Sequence, residues 1–372
     1  MNFKIEVKQI YLVNKNFPIY RKSIWDRLLG NNKNEFTFCF SKESFKDVKS
    51  HEIFRNNYKN RFHEIENLKF LNWVYWQRGV LNILFKKVDT VIFLGEMSIL
   101  STWITSILLR IKKVKVVYWG HGMYGKDKGL KKYLRILFLR LAHHNLVYEK
   151  FAKELMVKNG FQENEISIVY NSINYYEQLS LFKGLLTSKD ERIFKNEFPT
   201  LLFIGRLTKV KKIDQLIKAA IILNQKSKFN LLIIGDGEMR NQLEAQAKGL
   251  IHSKNCIFYG ECYDEKEISK LIYNSDLTVS PGNIGLTAIH SLSFGTPVCS
   301  HSNYSSQMPE VESIIDGVNG FLFEEDNIDS MVSEILKWFD RNTQIDKIKI
   351  RDLIDKKYNP EFQEKVILKA IK

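Results

Sequence analysis

Cysteine is sparse and scattered in this 372-residue chain: Cys39, Cys256, Cys262 and Cys299 form no C-x-x-C pair. That argues against a zinc site or a disulfide framework and fits a reducing cytosol. Long apolar runs are missing too. The best, Met97 to Leu109, is interrupted at Arg110-Ile-Lys-Lys, short of the ~20 apolar residues a bilayer-spanning helix needs, so a buried helix is expected there. No internal repeat or low-complexity tract is present. No nucleic-acid-binding module is recognisable, and the aromatic residues are not interleaved as stacking platforms. The opening Met1–Lys8 carries charges inside its apolar stretch and reads as a first strand, not a signal peptide.

What is present can bury two cores. Hydrophobic residues make up 44% of the chain and aromatic residues 13%, a composition that excludes disorder, and the length favours two domains. The net charge of +14 is lopsided. Residues 1–190 hold 32 Lys and Arg against 17 Asp and Glu, and the remainder holds 24 against 25. A basic first half suits an anionic membrane surface, an acidic acceptor or nucleic acid, and the last lacks a module. Much of the excess lies in Arg110–Lys115 and Lys126–Arg140. In the second run Leu130, Leu134, Leu137 and Phe138 recur at helical spacing beside Lys131, Lys132, Arg135 and Arg140. This predicts a basic amphipathic helix able to lie on anionic lipid.

Strand and helix signals alternate. Strands are expected at Ile10–Val13, Phe36–Phe40, Thr90–Leu94, Val114–Tyr118, Asn145–Tyr148 and Ile166–Tyr170, separated by stretches long enough for crossover helices. That is an α/β series with parallel sheets covered on both faces. A polar, charged stretch at about 175–198 marks a break, after which a second series begins. A terminal helix follows Asn359-Pro360. In such sheets ligands bind beyond the carboxyl ends of the strands.

The richest segment is Ser280-Pro-Gly-Asn-Ile-Gly-Leu-Thr-Ala-Ile-His290, followed by Phe294-Gly-Thr-Pro-Val298. It reads as strand end, glycine loop, helix start and next strand. Such a loop is an anion site, because its backbone N–H groups and the positive helix end favour a phosphate, and Gly282 and Gly285 allow close approach. Upstream, Leu201-Leu-Phe-Ile-Gly-Arg206-Leu-Thr-Lys-Val-Lys211 places Arg206 and Lys211 after an apolar strand. Leu231-Leu-Ile-Ile-Gly-Asp-Gly-Glu238 and Cys256-Ile-Phe-Tyr-Gly260 supply two more strands ending in glycine.

In order and spacing these motifs resemble the C-terminal half of GT-B glycosyltransferases, specifically retaining family 4, over about residues 200–325, and the N-terminal half in outline. The resemblance implies two Rossmann-like parallel-sheet domains facing a cleft. Residues 1–180 would form a basic acceptor domain and 181–355 a nucleotide-sugar domain, with a helix at 356–372 crossing back to the first. It implies a UDP- or GDP-sugar donor, no other cofactor, and a glycan or lipid-linked acceptor.

The same resemblance assigns roles. Arg206 and Lys211 match the family's diphosphate-gripping pair. With Asn283, Ile284 and the N–H groups of Gly285, Leu286 and Thr287 they offer a metal-free clamp, since no D-x-D motif or His/Asp cluster is present. The family's paired glutamates, eight residues apart, fall on Gly282 and His290. Glycine has no side chain for the donor sugar. His290 can hydrogen-bond a ribose, or be satisfied by a neighbour. Glu310, in Gln307-Met-Pro-Glu310, matches a late P-E pair and either reaches the site or caps the following helix. In the first half, His121 of Trp119-Gly-His-Gly122 resembles the strand-end histidine that touches the donor sugar. The family's Gly-rich first loop is absent here, so the acceptor side is read from position alone: Glu96, at another strand end, is a candidate to bind or deprotonate an acceptor hydroxyl, and Arg21 and Lys22 to contact an anionic acceptor. His143-His144 is expected on a helix in a structural role.

The expected activity is a metal-independent sugar transfer, retaining by the resemblance, in bacterial capsule or lipopolysaccharide assembly, by a cytoplasmic protein peripheral on the inner membrane face. The alternatives are a nucleotide-sugar isomerase or hydrolase, and a catalytically degenerate partner subunit.

Overall fold

The structure, a computed structural model, describes residues 7–16, 18–41, 61–70, 73–188, 192–341 and 346–372. The strand expected from Met1 therefore lies outside the described residues up to position 6. The chain divides into two compact units, one made of 1–170 with 360–372 and the other of 171–359.

The first unit holds one eight-stranded sheet. Its strands are β1 (Lys8–Val13), β2 (Asn34–Ser41), β3 (Phe62–Phe70), β4 (Val74–Arg78), β5 (Thr90–Leu94), β6 (Lys115–Gly120), β7 (His144–Val147) and β8 (Ile166–Ile168). They lie in the order β4-β3-β2-β1-β5-β6-β7-β8. Every neighbouring pair is parallel except β3 and β4. This antiparallel edge pair was not legible in the sequence, because Ile65 alone of β3 is buried and its other positions carry no apolar run.

Each face of the sheet has its own cover. Helices Lys22–Leu29 and Pro360–Ala370 close one face, packing Ile24, Trp25, Leu28 and Ile367 against Phe36, Phe38 and Trp119. Arg27 binds Glu364 through Nε at 2.8 Å, a cross-link between those two helices. Helices Leu100–Ile111 and Gly129–Leu139 cover the other face, where Leu109, Phe138 and Leu139 meet Val91, Phe93 and Tyr118. The expectation of a buried helix at Met97–Leu109 is corrected here. The helix turns Ser101, Thr102, Thr105 and Ser106 inward and leaves Leu100, Ile104, Ile107, Leu108 and Ile111 exposed. His143 and His144 are not helical either: His144 opens β7, and His143 precedes it. Their roles are structural. His143 Nδ1 accepts from the Val116 N–H at 2.9 Å, and His144 Nε2 pairs with Ser167 Oγ at 2.9 Å.

The second unit is a six-stranded, wholly parallel sheet of β9 (Thr200–Ile204), β10 (Asn230–Ile234), β11 (Cys256–Gly260), β12 (Leu277–Ser280), β13 (Val298–His301) and β14 (Gly320–Phe323). Its order, β11-β10-β9-β12-β13-β14, reverses between β9 and β12, which is the doubly wound arrangement that places a ligand at the reversal. The expected polar break at 175–198 is in part the helix Tyr175–Leu185, whose Phe182 and Leu185 enter this unit's core beside Leu202 and Leu232. That apolar anchor puts the division at Tyr170–Asn171 rather than near 180.

Candidate functional site

In the second unit the loops after β9 and β12 meet at the reversal point. The loop after β9 ends in a short turn, Lys209–Lys211. The Lys211 ammonium donates to the Asn283 carbonyl at 2.8 Å and to its Oδ1 at 2.9 Å. Burial and the neighbouring Arg206 charge lower the Lys211 pKa, and Glu310 opposes them. Arg206, Lys211 and Glu310 therefore lie in one electrostatic field. Arg206 is exposed, and its side chain has no partner among the described residues. The flanking lysines differ: Lys209 is exposed, while Lys212 pairs with Glu325 at 3.0 Å and Asp326 at 2.7 Å.

Glycine is required where the two loops touch. The Gly282 N–H donates to the Lys211 carbonyl at 3.1 Å. A Cβ at 282 would stand 2.2 Å from the Val210 carbonyl oxygen and 2.7 Å from Lys211 Cα. A glutamate at this position is incompatible with the backbone as it lies. The glycine of the 235 turn obeys the same constraint, since its Cβ would meet the Gly205 oxygen at 2.0 Å.

Beyond Gly282 the loop is braced by Gln307, a residue that sequence reasoning missed. Its Oε1 accepts the Ile284 N–H at 2.8 Å, and its Nε2 donates to Ser300 Oγ and the His301 carbonyl. The Ile284 amide is thus committed within the protein. Gly285 and Leu286 lead into the helix Thr287–Ser293, whose first-turn amides have no acceptor within the helix. Thr287 Oγ1 donates to the Ile204 carbonyl at 3.3 Å, tying the helix start to the end of β9.

His290 is satisfied by a neighbour. Its Nε2 shares a 2.9 Å hydrogen bond with Glu265 Oε1, which also accepts from Gln178 Nε2 at 3.1 Å. Burial would raise the Glu265 pKa, but the hydrogen bond and charge of His290, with the hydrogen bond from Gln178, bring it below the ordinary value. The carboxylate at this place comes from another helix, Glu265–Tyr273, so no motif around position 290 could reveal it. Glu310 is buried in the turn Pro309–Ser313, and its Oε1 accepts from Asn171 Nδ2 at 2.9 Å.

The first unit gathers a second cluster at its strand ends. His121 follows β6 between two glycines that the packing requires. A Cβ on Gly120 would come within 3.1 Å of the Gly95 oxygen, and one on Gly122, at φ +64°, within 2.9 Å of Val147. The imidazole faces Tyr148 edge-on at 5.1 Å and stacks on Tyr124 at 5.5 Å. Its Nδ1 is buried with no hydrogen-bond partner among the described residues. Burial, then the charges of Arg21 and Arg135, hold its pKa down to about 4, so the ring is neutral at physiological pH. Orphaned buried polar atoms are costly and uncommon, and this one marks His121 as a candidate group for a ligand.

Glu96 belongs to the same cluster. It accepts from Ser98 Oγ at 2.6 Å, and its charge is among the causes, after burial, of a Tyr124 pKa pushed up to about 12. Arg21 is buried, donates to Tyr148 Oη at 2.9 Å and lies over the Trp119 ring at 5.3 Å. Lys22 points elsewhere, pairing with Asp26 one turn along its own exposed helix face. Among the described residues no three His, Cys, Asp or Glu side chains converge to hold a metal ion.

Comparison with known proteins agrees with this architecture. Residues 187–355, which lie within the second unit, match the family described as "Glycosyl transferases group 1". An uncharacterised glycosyltransferase of Methanocaldococcus jannaschii is 24% identical over 254 residues, 63% of this chain and 61% of that relative. The chain thus spans about six-tenths of that curated relative's length. The apo lipopolysaccharide outer core galactosyltransferase WaaB superposes with a TM-score of 0.73 at 16% identity, covering 98% of this chain and 99% of that one. The HepE protein of Anabaena, in complex with UDP, gives 0.68 at 14% identity, over 98% and 99% of the two chains. At such identities these structures establish the fold, which is GT-B.

Proposed function

We propose that this protein transfers a sugar from a nucleoside-diphosphate sugar to a hydroxyl of a glycan or lipid-linked oligosaccharide, in the assembly of a bacterial surface polysaccharide. The observation that carries the reading is the junction of the two loops at the reversal point of the second sheet. There Lys211 is fixed on Asn283 while Arg206 stays open. Departure of a nucleoside diphosphate develops negative charge on phosphate oxygens, and pre-positioned cations with helix-start amides stabilise it. The bound UDP of the HepE structure and the galactosyl transfer named for WaaB agree with a UDP-sugar donor.

In this reading Arg206 and Lys211 take the diphosphate, with the amides of Gly285, Leu286 and Thr287 beside them. Glu265, held by His290 and Gln178, presents the carboxylate for the ribose hydroxyls in place of a glutamate at 290. Neutral His121 accepts or donates one hydrogen bond to the transferred sugar. Glu96 receives the acceptor hydroxyl. The bond from the anomeric carbon to the phosphate oxygen breaks, a bond to the acceptor oxygen forms on the same face, and the acceptor proton passes to the leaving phosphate oxygen. The retained configuration follows from the family resemblance. The basic first half suits an acceptor at the inner face of the membrane, with the protein peripheral to it.

The test is a thermal-shift screen with UDP, GDP, CMP and their common sugars, with and without EDTA, followed by transfer assays with the donor it selects. A ligand bound only by the folded protein raises its melting temperature. An EDTA-insensitive shift with one nucleotide, followed by product, supports the proposal. A shift without turnover on any acceptor or water indicates a partner subunit, and no shift with any nucleotide overturns the donor site.

A further inference from the structure

Helix Leu100–Ile111 is inside out. Its buried side is mainly hydroxylic: Ser101, Thr102, Thr105 and Ser106 are all 1% exposed or less, with Leu109 as the fully buried apolar residue beside them. The two serines tie the helix to its neighbours, Ser101 Oγ accepting from the Gln77 N–H at 3.0 Å and Ser106 Oγ from Tyr118 Oη at 2.9 Å. The outer side carries Leu100, Ile104, Ile107, Leu108 and Ile111, the last 73% exposed. Those positions recur at the spacing of one continuous helical stripe. In a helix whose outer face meets water the two sides would be exchanged.

The neighbouring helix Gly129–Leu139 repeats the pattern. Leu130, Tyr133, Leu134 and Leu137 form an exposed stripe at i, i+3, i+4 and i+7, Leu130 being 72% exposed. The two helices lie on the same face of the sheet and touch through Trp103 and Phe138, ring centroids 5.0 Å apart. Exposed apolar stripes on two adjoining helices mark an interaction face.

Charge selects the occupant. Between Ser98 and His144 the chain has ten Lys and Arg and a single acidic residue, Asp127. That aspartate is buried and pairs with Arg135 and, at 3.8 Å, with Lys131, so it offsets one of the ten charges. Lys112, Lys113, Lys126, Lys128 and Lys131 are exposed at the ends and flank of the stripes. Long cationic side chains around an apolar centre fit an anionic lipid surface, where methyl groups enter the acyl boundary and ammonium groups stay at the headgroups.

We propose that these two helices form one insertion face, seating the first unit in an anionic bilayer by apolar insertion as well as by charge. The proposal rests on the membrane component of the function given above and makes it specific. No helix of the described residues is long and apolar enough to cross a membrane, so the contact is interfacial.

The experiment is co-sedimentation of the full chain with phosphatidylcholine vesicles, with and without phosphatidylglycerol, across a salt series. Two double variants are compared with the parent, Ile104→Ser with Ile107→Ser, and Leu130→Ser with Leu134→Ser. Each pair is expected to lower the partition coefficient on anionic vesicles by about tenfold or more. Melting temperatures should hold, because the replaced side chains are exposed. Parent binding should survive salt in part, as charge alone would not allow. Unchanged partition in both pairs overturns the proposal. So does a concentration-dependent dimer that the same pairs dissolve, which assigns the face to a second copy. A UDP thermal shift run on every sample separates the two readings. Lost vesicle binding with an intact shift leaves the donor site standing, and a missing shift in the parent counts against the donor site alone.

Discussion

Lys211 and Asn283 are joined twice, the ammonium donating to both the carbonyl and the side-chain oxygen of the asparagine. One bond pair therefore fixes two loops from strands far apart in sequence and aims a half-buried cation at their junction. Lys211→Ala removes the charge and the clasp together, and Arg206→Ala removes an exposed cation only. Hydrogen bonds to charged groups contribute about 1.5–3 kcal/mol. Each variant should thus weaken UDP or GDP binding by roughly ten- to a hundredfold, read by calorimetry. Lys211→Ala should in addition lower the melting temperature, while Arg206→Ala should not. Unchanged affinity in both would remove the phosphate clamp.

Gly282→Ala tests the close approach of the same loops. The added methyl would meet the Val210 carbonyl oxygen at 2.2 Å, so backbone must shift. Overpacking of this kind costs about 1–3 kcal/mol. Denaturant unfolding should register that loss, and Gly282→Glu should lose at least as much. A stable Gly282→Glu protein with raised activity would mean that the loop after β9 can move aside.

His121 should make stability pH-dependent. Its pKa is about 4 in the folded protein against an ordinary value near 6.5. Between those values the unfolded chain binds the extra proton, so stability rises with pH through that window and is lost as pH falls from about 6.5 towards 4. His144 has a pKa also lowered to about 4, by burial and then by Lys115, and contributes with the same sign. His121→Asn should therefore flatten part of the acid limb of a melting-temperature profile, and His121→Asn with His144→Asn should flatten more. An identical profile in the single variant would show that His121 is as accessible to protons folded as unfolded.

His121→Ala should also lower turnover more than nucleotide affinity, because the first unit carries it and the proposed phosphate clamp, Arg206 with Lys211, lies in the second. Kinetics beside UDP calorimetry would decide this. Loss of affinity with unchanged turnover would make His121 a nucleotide-binding or structural residue.

The terminal helix is part of the first unit's core. Ile367 is fully buried against the face that holds Trp25 and Trp119. Ile367→Ala should destabilise by about 2–5 kcal/mol, and Glu364→Ala, which breaks a partly exposed pair with Arg27, by about 1 kcal/mol or less. Denaturant unfolding of the two variants gives the comparison, and equal losses would contradict the burial.

The sequence by itself determined the α/β class, most strands of both sheets and the glycine-bearing loops around Arg206, Lys211 and Gly285. Parallel strands buried on both faces are near-continuous apolar runs, and strand-end loops follow them in order, so local pattern carries that information. It did not carry the β3–β4 pair, since β3 is largely exposed and has no apolar run, nor the Glu265–His290 and Gln307–Ile284 bonds, whose partners lie on different elements. Nor could pattern orient Leu100–Ile111. A run of Leu and Ile with Ser and Thr looks the same whichever stripe faces the sheet, and only packing beside Gln77 and Tyr118 turned its hydroxyl groups inward. Gly282 shows the same division: composition makes it a missing side chain, whereas the neighbouring backbone of Val210 and Lys211 makes it the residue that fits.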